Sequence, residues 1–341
     1  MKYKAYIGTY SIPNSKGIYL TEADTETGAL TILDSWQAEN PSYLSVSDGY
    51  LFAVLECDEF EGTYGGGAAS YAIGRDGSLS LLSVRPTGGT SPCHVCPAPD
   101  GKKLYVPNYG DGVLSVFDVK DGKLSEASLI KYNGSDLNEV QQKRSHLHCA
   151  VIEPGNGRLC VAALGIDRVV FFNTADMSAA GEFAVKSGSG PRHIVFSEHT
   201  PYAWMVCELS SEIYAFEPRS GKQIGVYSTL PCDFTGKSTC AAIKLSPDEK
   251  RLYASNRGHD SIACYDIDTE TGKLTLLAIC SAGGKTPRDF AISPDGKFLY
   301  AANQDTDNIN IFAMENGVPV ETGLSLDIPS PVCVLFNDQL K

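Results

Sequence analysis

The stretch PRDFAISPDGKFLYAA, at residues 287–302, decides the fold of this 341-residue chain. Two short runs suited to β-strands flank the segment Ser-Pro-Asp-Gly-Lys, whose residues favour a tight turn. A polar loop and a second pair of strand-like runs, again joined by a tight turn, follow before the next such stretch begins. Because strands joined by tight turns pair antiparallel, the stretch and its continuation predict a unit of four antiparallel strands.

Similar segments begin seven times along the chain. They start at Pro41, Pro92, Leu147, Pro191, Cys240, Pro287 and Pro331. Successive starts lie between 44 and 55 residues apart, a period typical of the four-stranded blades of a propeller rather than of helical repeats. We therefore predict an all-β protein, a seven-bladed β-propeller with four antiparallel strands in each blade.

The seventh segment, residues 331–341, has room for one strand only. Three further strand-like runs stand at the other end of the chain, at residues 4–10, 17–22 and 30–35. We predict that the last blade is closed by N- and C-terminal strands together, which removes the open sheet edges that invite aggregation. Because no linker interrupts the repeats, residues 1–341 are interpreted as one domain.

The composition narrows the possible partners and the compartment. The net charge is −13 and the lysines and arginines form no cluster, so we expect no nucleic-acid partner. Residues 1–10 do not resemble a secretion signal, and no run of about 18 apolar residues occurs elsewhere. Most of the eleven cysteines stand in apolar runs, where a reduced thiol packs as a small hydrophobic side chain. We therefore expect no membrane segment and a cytoplasmic location.

Antiparallel pairing places the start of each first strand and the end of each second strand at one face of the ring, beside the central channel. Two alignment positions should therefore line one mouth of the channel. The first, one residue past each segment start, holds Ser42, Cys93, His148, Arg192, Ala241, Arg288 and Val332. The second, at the end of the second strand in the second to sixth segments, holds Tyr109, Leu164, Glu208, Arg257 and Gln304. Charged side chains are concentrated at this mouth.

The residue types at this mouth indicate an anionic ligand. Arg192, Arg257 and Arg288 each carry a planar guanidinium group, which binds carboxylate or phosphate through paired hydrogen bonds. Glu208 is a candidate base, and His148 could accept or donate a proton near neutral pH. Two structural interpretations stay open: a plain salt bridge between Glu208 and an arginine, and a hydrogen-bonded structural role for His148.

Four stretches carry a family resemblance. They are Gly190-Pro-Arg-His193, Cys207-Glu-Leu-Ser-Ser-Glu212, Leu252-Tyr-Ala-Ser-Asn-Arg-Gly-His-Asp-Ser-Ile262 and Pro287-Arg-Asp-Phe-Ala-Ile-Ser-Pro-Asp-Gly296. The chain resembles, over nearly its whole length, the lactonase family of seven-bladed propellers. The resemblance implies a cleft on the channel face in which a histidine, a glutamate and arginines act on a lactone or form one. His148, Arg192, Glu208 and Arg257 match the family motifs by position, and Arg288 matches a further one.

On this resemblance we expect a hydrolase that opens a small anionic sugar lactone, with 6-phosphogluconolactone as the favoured substrate. The expected catalytic residues are His148, Glu208 and Arg257. The expected substrate-binding residues are Arg192, Arg288, His193 and Asn256. We expect no cofactor and no metal ion. The expected partner is the small anionic substrate, and the chain is expected to be a monomer or a weak homodimer.

Three alternatives stay open at the level of sequence. A cycloisomerase acting on a 3-carboxy-cis,cis-muconate would need the same anion clamp, and a propeller could bind without catalysis. A divalent cation could also occupy the channel, held by carboxylate and amide oxygens. The side chains that could supply those oxygens are Glu56, Asn108, Glu208, Asn256 and Asn303. In a further form of the cation alternative, His146 and His148 act as a pair of metal ligands.

Overall fold

The computed structural model describes residues 2–155 and 157–337. These residues form seven antiparallel sheets and one additional two-stranded hairpin. The innermost strand of each sheet contacts the innermost strands of both neighbouring sheets, and the last sheet contacts the first, so the sheets close into a ring. The predicted all-β seven-bladed propeller is confirmed.

The blades are numbered in chain order, and their strands are given from the channel outward. Blade 1 contains Leu44–Ser47, Tyr50–Leu55, Gly67–Ile73 and Leu79–Pro86, and the hairpin Glu59–Phe60 with Thr63–Tyr64 stands in the loop after its second strand. Blade 2 contains Cys96–Pro97, Lys103–Asn108 and Val113–Lys120, and its outer edge is divided into Lys123–Leu124 and Ser128–Lys131. Blade 3 contains Leu147–Ile152, Arg158–Ala163, Arg168–Asn173 and Ala179–Ala184.

Blade 4 contains Pro191–Phe196, Ala203–Cys207, Glu212–Glu217 and Lys222–Ser228. Blade 5 contains Thr239–Leu245, Arg251–Arg257, Ser261–Ile267 and Leu274–Ser281. Blade 6 contains Pro287–Ile292, Phe298–Asn303, Asn308–Glu315 and Val318–Asp327. Within the described ranges, the helical segments are two single 3-10 turns, Leu164–Ile166 and Gln304–Thr306. Neither is long or apolar enough to cross a membrane.

Blade 7 joins the two ends of the chain. Its innermost strand is Pro331–Asn337, followed outward by Lys2–Thr9, Gly17–Asp24 and Leu30–Gln37. The pairing of the two innermost strands runs from Lys4 opposite Asn337 to Ile7 opposite Val334 and beyond. The predicted closure is therefore confirmed, and each N-terminal strand agrees with its predicted range to within two residues at either end.

The core lies between neighbouring blades rather than within any one of them. The cluster between blades 4 and 5 surrounds Trp204, which is 1% exposed and donates its indole N–H to the carbonyl oxygen of Gly272 at 3.1 Å. The cluster between blades 7 and 1 surrounds Tyr6, whose hydroxyl donates to the carbonyl oxygen of Gly77 at 2.7 Å. Full burial of a large apolar side chain contributes roughly 1.5–3 kcal/mol. Each blade is thus stabilised mainly by its neighbours.

Candidate active site

An extra residue in the first strands of three blades determines which side chains line one mouth of the channel. Near the start of these strands in blades 3, 4 and 6, the pairing with the second strand skips one residue. The skipped residues are His148, Arg192 and Arg288. Such β-bulges redirect a side chain away from the direction that regular pleating would give it. The first alignment position predicted from the sequence is the bulged position of these blades.

Arg192, Glu208 and Arg257 form one hydrogen-bonded cluster at this mouth. Nε of Arg192 and Nη2 of Arg257 each donate to Oε2 of Glu208 at 3.0 Å. Both guanidinium groups are also fixed by backbone carbonyls, because Arg192 Nη1 lies 2.6 Å from the oxygen of Ala241 and Arg257 Nη2 lies 3.0 Å from the oxygen of Cys240. The structure therefore brings together three of the predicted residues from blades 4 and 5.

The charges in this cluster change the pKa values of its members. Burial alone would raise the pKa of Glu208, but the positive charges of Arg257, Arg192 and Arg288 outweigh it and leave that pKa below its ordinary value. Burial lowers the pKa of Arg192 to about 10, with a further contribution from the charge of Arg257, while Glu208 opposes the shift. At neutral pH Glu208 is ionised and Arg192 keeps its proton.

A group of aromatic rings lies beneath the arginines. His193 accepts from Nη1 of Arg192 through Nε2 at 3.2 Å, since a guanidinium group can only donate. Its ring meets the ring of His148 edge to face at 5.2 Å and that of His94 at 5.6 Å. His94 stacks on Tyr43 at 4.0 Å. Burial, followed by the charges of nearby basic side chains, moves the pKa values of His148 and His193 well below the ordinary range, so both rings are neutral.

Tyr109 occupies the space between two histidines on the blade 2 side of the mouth. Its ring lies 4.5 Å from that of His146 and 5.8 Å from that of His148. Nδ1 of His146 donates to the carbonyl oxygen of Tyr109 at 2.6 Å, which leaves Nε2 of that ring as the basic nitrogen. This hydrogen bond leaves only Nε2 of His146 for the metal-binding pair envisaged with His148.

A second group of charges stands on the other side of the mouth. Tyr10 donates its hydroxyl to both oxygens of Glu56, at 3.1 and 3.0 Å. Nη2 of Arg288 lies 4.0 Å from Oε1 of Glu56, and its guanidinium group lies 5.2 Å from the centre of the Tyr10 ring. Sequence reasoning missed Tyr10. It follows the second strand of blade 7, so extending the second alignment position round the ring to the N-terminal strands would have found it.

Several buried polar atoms at this mouth have no hydrogen-bond partner among the described residues. They are Nδ1 of His148, Nε2 of His146, Nε of Arg257 and Oγ of Ser42. A buried polar group without a partner costs about 1–3 kcal/mol, and such groups in one place are typical of a site that a ligand or water completes. The cluster of unused donors and acceptors therefore marks this mouth as the candidate active site.

Asn256 has a different position from the one its predicted role requires. The side chain is completely buried, and its Nδ2 donates to the carbonyl oxygen of Thr229 at 2.9 Å and to Oγ of Ser261 at 3.1 Å. Its Oδ1 accepts from Oγ1 of Thr229 at 2.6 Å. The amide therefore ties the end of the second strand of blade 5 to its third strand and to the segment that follows blade 4. Asn108 and Asn303 are buried in the same way in blades 2 and 6.

This arrangement also bears on the cation alternative. The amides of three of the five proposed ligands are buried, and the oxygen of Asn256 already accepts from Thr229. Glu208 is bonded to two guanidinium groups. Across residues 2–155 and 157–337, no three histidine, cysteine, aspartate or glutamate side chains are grouped as a metal site would require. Oε2 of Glu208 and Oδ1 of Asn256 are thus used for contacts within the protein.

The fold and the arginine–carboxylate cleft define a class of protein. The family described as "Lactonase, 7-bladed beta-propeller" matches residues 4–336, and the chain belongs to that family. Lactones are cyclic esters, so the prediction of a carboxylic-ester hydrolase is confirmed at the level of this family.

Three known proteins are similar to this chain over nearly its whole length. The chain is 35% identical to the 6-phosphogluconolactonase of Bacillus subtilis over 353 aligned positions, covering 99% of each protein. Its structure matches that of a periplasmic gluconolactonase from Pseudomonas aeruginosa with a TM-score of 0.93, at 29% identity and covering 98% of this chain and 99% of that one. A protein from Lactobacillus plantarum matches with a TM-score of 0.91 and 32% identity, covering 99% of this chain and 100% of that one.

Proposed function

We propose that the chain hydrolyses 6-phosphogluconolactone to 6-phosphogluconate. The observation that carries this proposal is the convergence of Arg192 and Arg257 on Glu208 at the mouth of a lactonase-family channel. Three arginines face two glutamates there, which leaves one net positive charge for an anionic substrate. The relationship to the Bacillus subtilis 6-phosphogluconolactonase favours the phosphorylated lactone.

The arginines would bind the anionic groups. The Nε–H of Arg257 is buried without a partner among the described residues, and the side chain is 15% exposed at the mouth. We propose that this N–H and the ring of His148 donate to the lactone carbonyl oxygen, where negative charge develops when water attacks. Arg192 and Arg288 would hold the phosphate, with His193 fixing the guanidinium group of Arg192. Glu208 would hold Arg257 in position.

The proposal includes the compartment and the pathway in which this reaction takes place. All eleven cysteines are free thiols in the structure, and seven of them are buried, which supports a reducing cytoplasm as the compartment. Hydrolysis of 6-phosphogluconolactone would place the chain in glucose metabolism through the pentose phosphate pathway. We propose that it acts as a monomer or a weak homodimer, without a cofactor.

The test is to follow acid release from 6-phosphogluconolactone with purified protein. We expect a rate well above spontaneous hydrolysis and a lower kcat/KM for the unphosphorylated gluconolactone, because the phosphate contacts would be missing. Arg257→Gln should lower kcat by about 10²–10³-fold, the usual effect of removing a donor from an oxyanion site. Arg219→Gln, at an exposed hairpin on the opposite face, is the control and should leave the rate unchanged.

Two results would contradict the proposal. A wild-type rate equal to the spontaneous one would exclude hydrolysis of this lactone, and turnover of a 3-carboxymuconate instead would support the cycloisomerase. Full activity of Arg257→Gln would remove that residue from the reaction.

A further inference from the structure

The mouth of the channel holds two carboxylates in unlike surroundings. Glu208 is bonded through one oxygen to two guanidinium groups. Glu56 accepts from one neutral hydroxyl, that of Tyr10, and its nearest guanidinium nitrogen is 4.0 Å away. A proton added to Glu208 would weaken two charge-assisted hydrogen bonds, whereas a proton added to Glu56 would disturb one neutral donor. Of the two, Glu56 is better suited to accept a proton during a reaction.

The space beside Glu56 supports the same assignment. A cavity of about 10 Å³ lies just inside the mouth, which is room for about one water molecule. Its lining includes Glu56, Ser42, Arg192 and Arg288, and Glu208 is not part of it. Oγ of Ser42 is buried and has no partner among the described residues. A water there would find a carboxylate, a hydroxyl and guanidinium donors around it.

We infer that Glu56 is the general base that activates the hydrolytic water. The inference rests on the proposed lactone hydrolysis. The water oxygen forms a bond to the lactone carbonyl carbon while one water proton passes to the carboxylate of Glu56. When the ring C–O bond breaks, the leaving ring oxygen takes that proton from the Glu56 carboxylic acid. The residue returns to its starting state, and the product is an open-chain hydroxy acid.

Tyr10 is a positioning residue for this base. Burial raises the pKa of the Tyr10 phenol, the charge of Arg288 opposes this shift and Glu56 adds to it, so the phenol remains a hydrogen-bond donor at neutral pH. Its hydroxyl spans both oxygens of Glu56, and the guanidinium group of Arg288 lies over its ring. These contacts hold the carboxylate at the wall of the small cavity.

The test compares Glu56→Gln with wild-type protein in 6-phosphogluconolactone hydrolysis. We expect kcat to fall by about 10²–10⁴-fold, the range for a lost general base, with the affinity for 6-phosphogluconate, measured by calorimetry, unchanged within threefold. Tyr10→Phe should lower kcat severalfold with KM unchanged. Glu59→Gln removes the same charge from an exposed position on the hairpin at this face and should have no effect.

The outcomes separate this inference from the proposed function. A tenfold or greater loss of kcat in Glu56→Gln with product affinity retained supports the inference, and a smaller loss overturns it. If Glu56→Gln does not fold, kcat and product affinity are measured for Glu56→Asp and judged by the same criterion. This variant keeps the negative charge but moves it away from the cavity by one methylene group. Wild-type protein without lactone hydrolysis would refute the proposed function itself, irrespective of Glu56.

Discussion

Three buried histidines in the channel, His94, His148 and His193, are neutral. Protonation of any of them would destabilise the folded protein. His94 is the most informative of them, because its ring is buried between Tyr43 and the thiol of Cys149. Burial, assisted by the charges of Lys244 and Arg192, lowers the pKa of His94 to about 3. The unfolded chain takes up this proton at the ordinary pKa of 6.5, so the folded state binds fewer protons between these two values.

This difference predicts a pH dependence of folding. The stability that neutral His94 contributes is complete above pH 6.5 and is lost progressively as the pH falls toward 3. In His94→Phe, which keeps an aromatic ring against Tyr43, the free energy of unfolding should vary less steeply with pH. The slope should fall by about 1.4 kcal/mol per pH unit between pH 4 and 6. Urea unfolding at several pH values measures this slope.

The control for this measurement is His199→Gln, since that side chain is exposed to solvent in the folded protein as it is in the unfolded chain. Its slope should equal that of the wild type. Equal slopes in His94→Phe and wild-type protein would show that His94 is protonated in the folded state at these pH values.

Single residues of the site also differ in how well the sequence predicted their positions. The alignment positions found Arg192, Glu208 and Arg257, because the repeat period fixes which residues reach the same mouth. The same reasoning gave Asn256 a substrate role, since the sequence does not reveal that its buried amide is bonded to Thr229 and Ser261. The catalytic and binding roles of the predicted residues stay predictions.

At the scale of elements, the hairpins between the third and outermost strands connect neighbouring blades. The hairpin of blade 2 places Gly122 against the Tyr50 ring of blade 1, and a Cβ atom added to this glycine would lie 2.4 Å from that ring. Gly122 also has a φ of +73°, which L side chains adopt at a cost of about 1–2 kcal/mol. The blade 4 hairpin has Gly221 with a φ of +69°, but nothing lies within 4 Å of its added Cβ.

These two glycines provide a matched pair of substitutions. Gly221→Ala should lose about 1 kcal/mol of stability from its backbone conformation alone. Gly122→Ala should lose a further 1–3 kcal/mol, roughly, because the methyl group must displace an aromatic ring in a packed interface. Urea unfolding of both variants measures the difference. Equal losses would mean that the contact between blades 1 and 2 adapts without cost.

The strand order was predictable from the sequence, but two local features of the blades were not. The first is the set of bulges at His148, Arg192 and Arg288. The apolar pattern around these residues is equally compatible with a regular strand. The outer edge of blade 2 is divided into two short strands where one was predicted. Both depend on pairing with a neighbouring strand, which a single strand's sequence does not record.

At the scale of the whole molecule, Asp289 connects three blades next to the point of closure. From its place in blade 6, Oδ2 accepts the backbone N–H of Val334 in blade 7 at 2.9 Å. Its Oδ1 lies 3.3 Å from Nζ of Lys244 in blade 5. The carboxylate is 2% exposed and the Lys244 side chain 30% exposed, so a partly buried ammonium group and a buried hydrogen bond depend on Asp289.

Asp289→Ala should therefore lower the free energy of unfolding by about 2–3 kcal/mol, because it leaves an N–H and an ammonium group without their partner. Hydrogen exchange should speed up first in the innermost strand of blade 7, residues 331–337. Asp118→Ala removes an exposed partner of Lys103 at 2.8 Å and should cost no more than about 1 kcal/mol. Similar losses in both variants would show that Asp289 does not support the closure.

The interpretation of residues 1–341 as one domain stays a prediction.

The pairing of Lys4 with Asn337 has a consequence for biosynthesis. A ribosome delivers the chain from its amino end, so strand Lys2–Thr9 emerges before the other six blades and its inner partner only after them. Until then one flank of that strand is unpaired, and such edges attract other nascent chains. We expect the final sheet to assemble slowly and late, since contacts between distant parts of a sequence form slowly, and chaperones that shield exposed strands would be needed most at this stage.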